Sequence, residues 1–147
     1  MPTLAENRKA LHDYTILKTF EAGVVLSGQE VKSAKQGQLS LKGSFVHTRA
    51  GEAFLVNAYI TPYQEARFDA SYNPSRDRKL LLTKKELNEI ANRRESEGLT
   101  VVPLSIFTKR SLIKVRIGLA RGKKKYDKRR AIKEKELKQK IQRVLNK

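Results

Sequence analysis

Seven of the ten residues from Arg121 to Arg130 (RGKKKYDKRR) are Lys or Arg, and a hydrophobic core has no place for that density of unpaired charge. The run therefore divides the chain. Residues 121–147 carry 13 Lys/Arg against Asp127, Glu134 and Glu136, a net +10 of the chain's +17. The first 120 residues hold 19 basic and 12 acidic side chains and supply the other +7. Like charges this close repel one another unless a polyanion neutralises them, and duplex nucleic acid offers about one phosphate charge per 1.7 Å of axis. The plainer alternative is a solvated basic tail that serves only solubility. Against it stand an apolar helical stripe after the run and a domain before it that is itself basic. An anionic membrane surface is a second polyanion that charge alone does not reject.

N-terminal to the run the pattern is that of a folded domain. With 147 residues and 39% hydrophobic content, the chain is expected to form one domain over residues 1–120 with a basic tail over 121–147. There is no cysteine, which excludes disulfide frameworks, thiolate nucleophiles and Cys-ligated zinc and fits a reducing, cytoplasmic setting. No apolar run approaches the roughly 18 residues of a membrane span, and residues 1–10 lack a signal peptide's apolar core. No membrane partner is expected.

Residues 1–10 are polar and read as an arm on the domain surface, where Asn7, Arg8 and Lys9 could meet phosphates. Tyr14 to Leu26 is rich in β-branched and aromatic residues and predicts a long strand, with Gly23 at a bulge or bend. Ser27-Gly28-Gln29-Glu30 is a capping box that opens a short helix ending near Gly37, with Val31 and Ala34 inward. Leu39–Thr48 and Glu52–Thr61 alternate and are joined through Arg49-Ala50-Gly51, as in a hairpin. Gln64–Asp77 reads as a long surface loop whose end is loaded with charge by Arg76, Arg78 and Lys79. Thr83-Lys84-Lys85-Glu86 opens a second helix with Leu87, Ile90 and Ala91 buried, and Gly98 closes it. Leu99–Phe107 and Leu112–Leu119, joined through a turn at 108–111, form a second hairpin. There Ile113, Val115, Ile117 and Leu119 face the core, and the opposite face is basic.

These elements predict a mainly β fold with short helices. Strands this short lose their edges best by curling into a small Greek-key barrel of OB type with about six strands. Sandwich and split-sheet arrangements stay open. In the tail, Leu137, Ile141, Val144 and Leu145 fall at helical spacing, and a helix of this length is marginal alone in water. It is expected to be disordered when free and to become helical on binding.

Chemistry has little to work with. His12 and His47 lie 35 positions apart with no metal-ligand spacing, and the pair His12-Asp13 is expected to splay apart in a strand. There is no Gly-rich phosphate cradle. No catalysis, metal or cofactor is expected. Of ten aromatic residues most are expected in the core, leaving Tyr63, Phe68 and Tyr72 in the loop and Tyr126 in the basic run as candidates to stack on bases.

Read together, Glu21-Ala22-Gly23, Gly28-Gln29-Glu30-Val31-Lys32-Ser33, Arg76-x-Arg78-Lys79-Leu80-Leu81-Leu82 and Gly122-Lys123-Lys124-x-Tyr126-Asp127-Lys128-Arg129 resemble the small protein B family, the transfer-messenger-RNA-binding proteins of bacterial trans-translation. The resemblance runs from about Asn7 to the end of the chain. It implies a barrel of OB type that holds the tRNA-like domain of transfer-messenger RNA, in a complex delivered with elongation factor Tu. It further implies that the tail enters a stalled ribosome and stands in the small-subunit decoding centre, against rRNA, for a codon–anticodon pair. Glu21, Lys32, Leu81 and Thr83 then match the RNA-facing barrel surface. Gly122, Lys123, Lys124, Tyr126, Asp127, Lys128 and Arg129 match the tail motif, and His12 matches a position near the decoding nucleotides. Val144 and Leu145 match two adjacent apolar residues near the end of the tail helix. The chain departs from the family at Gln29, usually Thr or Trp, and at Thr83, usually His or Asn, so Thr83 reads here as a helix cap. The bound protein is expected to be a monomer. Two other classes fit the composition: a structural ribosomal protein with a basic tail, and an RNA hydrolase dependent on His12.

Overall fold

A computed structural model describes residues 3–63, 72–122 and 137–142. The expectations for Phe68, Lys123, Lys124, Tyr126, Asp127, Lys128, Arg129, Val144 and Leu145 lie outside the described residues. The elements run β1 (Thr3–Glu6), α1 (Arg8–Asp13), β2 (Tyr14–Val24), α2 (Gly28–Lys35), β3 (Leu39–Ser40), β4 (Phe45–Arg49), β5 (Glu52–Val56), β6 (Tyr59–Ile60), β7 (Arg78–Leu81), α3 (Lys84–Glu97), β8 (Thr100–Lys109) and β9 (Leu112–Gly122). Seven strands form one sheet in the order β1-β8-β9-β2-β7-β5-β4, and β3 pairs with β6 in a small second sheet. Every pairing is antiparallel. The sheet curls until β4, at one edge, packs against β8, next to the other edge. The mainly β, strongly curled architecture agrees with the sequence reading.

Both hairpins turn on two residues. Ala50 and Gly51 have φ of 51° and 73°, and Arg110 and Ser111 have φ of 50° and 67°. Positive φ at both central positions gives the turn a twist that matches the flanking strands. It also fixes the register, with Arg49 opposite Glu52 and Lys109 opposite Leu112. From there His47 falls opposite Phe54, and Ile113, Val115, Ile117 and Leu119 all point into the core. Phe20, Ala22, Leu55, Leu80 and Ile90 fill the same core. Ala34 is buried and Val31 packs against its edge.

Several expectations need correction. The described residues contain nine strands rather than about six, because the first hairpin is interrupted on each side at residues of positive φ, Gly43 and Asn57, and because two strands were unforeseen. One is β1: residues 3–6 pair with β8 instead of forming an arm. The other is β7, which takes the end of the expected loop into the middle of the sheet. The bulge in β2 falls at Leu17, between the paired residues Ile16 and Lys18, and not at Gly23. Gly23 instead permits a close approach, since a Cβ there would lie 3.3 Å from Leu81 Cβ. Ala91 is exposed, and Leu87 and Ile90 carry the contact of α3 with the core. The outer side of β9 is basic only at Lys114 and Arg116. Beyond them Ala120 joins Ala10, Val102 and Leu104 in a second apolar cluster involving α1. Finally, β9 runs to Gly122, so the sheet takes in two residues beyond position 120. Residues 137–142 are helical, with Leu137 and Ile141 of the expected stripe exposed.

Candidate nucleic-acid interface

The site is built around β7, whose residues alternate in burial: Arg78 and Leu80 are inside, Lys79 and Leu81 outside. Arg78 was expected to face RNA and does not, being fully buried. Its guanidinium donates to Glu30 Oε2 from Nε at 2.8 Å, to the carbonyls of Ala58 at 2.6 Å and Arg76 at 3.2 Å from Nη1, and to the Pro74 carbonyl from Nη2 at 2.8 Å. Glu30 is 1% exposed and serves twice. It closes the capping box by accepting the Ser27 N–H at 2.9 Å, and it also accepts from Arg76, Arg78 and the Tyr72 hydroxyl. Burial pushes its carboxyl up, but the bonds from Arg76, the Ser27 N–H and Arg78, with the Arg78 charge, outweigh that and hold it at about 2. Burial and the Glu30 charge raise the Tyr72 hydroxyl above its usual value. Arg76 and Tyr72 thus fasten the end of the 62–77 connection and are committed inside the protein. Arg76 keeps only part of its side chain in solvent. Tyr72, an expected stacking residue, is half-buried.

This clamp presents β7's other face to solvent. Leu81 is opposite Gly23 and 53% exposed, and Gly23 is in turn opposite Lys114. One pair further along β2, Glu21 faces Arg116 and its carboxylate meets Lys109 Nζ at 3.1 Å. Arg116 lies over the Phe107 ring, 5.3 Å from its centroid. Glu21, Lys79 and Leu81 therefore share one outward patch with Lys109, Lys114 and Arg116, a basic surface with an apolar centre and two carboxylates, Glu21 beside Lys109 and Glu52 beside Lys79 at 3.1 Å. Lys109 and Phe107 were not singled out from sequence, although the two-residue turn at Arg110-Ser111 would have put Phe107 opposite Lys114. Thr83 follows β7 and is used as a cap: its hydroxyl accepts the Glu86 N–H at 3.1 Å and donates to Glu86 Oε1 at 3.0 Å. Lys32 is exposed on α2, with its Nζ 5.6 Å from the Tyr63 ring centroid.

The remaining candidates gather about 20 Å away along β2, at its start. There Tyr14 pairs with Gly122, the last residue of β9, and α1 holds Arg8, Lys9 and His12 exposed. Asn7 belongs to the interior instead. It caps α1, accepting the Ala10 N–H at 3.3 Å, and its side chain donates to the Pro103 carbonyl at 2.9 Å. With Asn7 8% exposed, the amide is turned into the fold rather than toward a phosphate. His12 and Asp13 do not splay apart, because they end a helix: Nδ1 and Oδ1 are 3.1 Å apart on the surface. Among the described residues no group of three His, Cys, Asp or Glu is placed to hold a metal, and no helix is long and apolar enough to cross a membrane. The expectation that most aromatic residues are core also fails. Phe20 and Phe107 are buried, whereas Phe45 and Tyr59 are 43% and 45% exposed.

Known proteins with this sequence and shape form a consistent group. The family described as SmpB protein matches residues 4–147. SsrA-binding protein of Staphylococcus epidermidis is 50% identical over 144 residues, covering 97% of this chain and 91% of the relative. That of Coprothermobacter proteolyticus is 49% identical over 144 residues, covering 97% and 96%. The protein of that name from Enterococcus faecalis is 48% identical over 142 residues, covering 97% and 92%. A solved chain described as "tmRNA-SmpB: a journey to the center of the bacterial ribosome" superposes with a TM-score of 0.68 at 47% identity, over 90% of this chain and 95% of that one. With the family match spanning the sheet, the outward patch and the basic run alike, the chain belongs to the SmpB family.

Proposed function

We propose that this chain binds the tRNA-like domain of transfer-messenger RNA and carries it, with elongation factor Tu, to stalled ribosomes, acting as a monomeric cytoplasmic adaptor without chemistry of its own. The observation that carries the reading is the family match over residues 4–147, at an identity near one half to proteins named for binding SsrA. The patch around Glu21, Lys79, Leu81, Lys114 and Arg116 suits it. Its cations would meet phosphates, Leu81 would pack on a sugar or base, and the Glu21 carboxylate would accept from a base edge. In this reading the tail acts in the decoding centre and mRNA path. Gly122 leaves the sheet beside α1, so His12 and the first tail residues would arrive at one place on the ribosome while the RNA occupies the patch about 20 Å off. Lys123, Lys124, Lys128 and Arg129 would then neutralise rRNA phosphates, and the stripe of Leu137, Ile141, Val144 and Leu145 would be covered as the tail helix orders.

The test is binding to a transcript of the tRNA-like domain at several salt concentrations. If the domain neutralises four to six phosphates, log affinity falls against log salt with a slope of roughly −3 to −5. A slope near zero, or equal affinity for an unrelated duplex, would refute the reading. Sedimentation separates it from a structural ribosomal role: an adaptor is substoichiometric and enriched on stalled ribosomes.

A further inference from the structure

The β4–β5 hairpin carries a stacked pair that neither the core nor the patch above uses. Arg49 lies over the Phe54 ring, with Cζ 4.1 Å from its centroid, and Nη1 is 3.6 Å from Asp77 Oδ2. The side chain of Arg49 is nevertheless 54% exposed. A guanidinium seated on a ring and tethered by a carboxylate has lost much of its rotamer freedom before any ligand arrives, and offers an open π face to solvent. Around it on the outward side of the hairpin are His47, directly across from Phe54, and the exposed Phe45. Lys79 is Phe54's partner on the opposite side, so the hairpin is continuous with the Leu81 patch two strand spacings, about 10 Å, from β2.

We propose that this hairpin is a stacking site for one unpaired base of the bound RNA, the base lying on the open face of the Arg49 guanidinium to extend the Phe54–Arg49 stack. The proposal rests on the RNA-binding reading and adds a subsite to it. The chemistry favours a base over an acidic protein segment. The Arg49 charge is already met by Asp77, so an incoming carboxylate would have to displace that partner, whereas a base needs only the unoccupied face. His47 stands where the attached phosphate could be met, and Lys79 could join it by leaving the Glu52 carboxylate it holds at 3.1 Å.

The experiment separates a plane from a charge. Transcripts of the tRNA-like domain carrying 2-aminopurine at one unpaired position at a time are titrated with the wild type, Arg49→Lys, Arg49→Ala and Phe54→Leu. Lysine keeps the charge and its reach to Asp77 but has no plane to stack. The expected result is a fluorescence change at one position with the wild type. That change is lost in Arg49→Lys, with affinity weakened roughly 5- to 100-fold and as much as in Arg49→Ala. Phe54→Leu weakens binding in the same direction. Thermal melts of the exposed Arg49 variants, expected to match the wild type, keep the comparison independent of folding. Binding of Arg49→Lys within twofold of the wild type would overturn the proposal in favour of a simple charge contact. Wild-type affinity in Arg49→Ala would overturn it in favour of a partner other than RNA. Failure of the wild type itself to bind any transcript would overturn the RNA-binding reading, and this subsite with it.

Discussion

Glu30→Gln isolates what the buried charge cluster contributes. The substitution keeps the side chain's size and an oxygen able to accept the Ser27 N–H, but removes the charge that faces Arg78, which is fully buried, and Arg76. Arg78 would then be left with carbonyl and hydroxyl acceptors only. Breaking a buried ion pair on one side costs about 3–5 kcal/mol, against a total of about 5–15 kcal/mol for a domain. For a chain of this length that corresponds to a fall in Tm of about 10–20 °C. A second route gives a similar size. The Glu30 carboxyl is lowered from 4.5 to about 2, and 2.5 pH units at 1.36 kcal/mol each amount to about 3 kcal/mol. Because the folded-state value is the depressed one, this contribution is complete above about pH 4.5 and is lost as pH falls through about 2. Urea unfolding of wild type and variant, followed by circular dichroism from neutral pH down to about 2, should show a gap that is wide at neutral pH and closes in that acid window. A neutral-pH gap below about 1 kcal/mol, or a gap of constant size down to pH 2, would refute the reasoning.

Thr83→Ala should cost about 1 kcal/mol through loss of the α3 cap and leave affinity for the tRNA-like domain unchanged; a drop in affinity without a drop in Tm would show that Thr83 contacts RNA after all. Gly23→Val forces a branched side chain against Leu81, 3.3 Å from where its Cβ must sit. It should destabilise by about 1–3 kcal/mol and weaken RNA binding, with Gly23→Ala milder in both melts and binding assays. Replacing Val144 and Leu145 together with Asp should leave RNA binding in solution unchanged while abolishing peptide tagging on stalled ribosomes; normal tagging, or lost affinity in solution, would sink the division between sheet and tail.

Features set by neighbouring residues were legible in the sequence. Ser27 with Glu30 and Thr83 with Glu86 announce both longer helices, and both capping boxes are present. Gly51 and the alternation from Ile113 to Leu119 announce both hairpins. What escaped depends on partners far away in the chain or on very short elements. Helix α1 has six residues, too few to show a period, and its cap, Asn7, is recognised by a carbonyl 96 positions on. The bulge at Leu17 exists because Ile16 must turn toward the α1 cluster while Phe20 and Ala22 point to the main core. Glu30 looked like half of a cap, and its second role is played toward arginines 46 and 48 positions away.

The misplaced Arg78 shows why its neighbours face outward. The run Arg78-Lys79-Leu80-Leu81-Leu82 fits a half-buried strand in two parities, one burying Arg78 and Leu80, the other Lys79 and Leu81, and a slip of one residue exchanges them. Apolar content favours the first, which takes in Leu80 and Leu82 against Leu81 alone, but each parity must also bury one cation. The cations differ. The buried position offers Glu30 and the carbonyls of Ala58, Arg76 and Pro74, arranged around one point. A guanidinium brings five donors in a fixed fork to such a set, whereas an ammonium brings three and leaves acceptors unmet in a dry site, at about 1–3 kcal/mol for each. The other parity would also remove Leu81 from its seat over Gly23, the one position in that stretch of β2 without a side chain to obstruct it. Arg78 therefore serves the outward patch without reaching it: with Leu80 and Leu82, its buried fork favours the register that turns Lys79 and Leu81 outward.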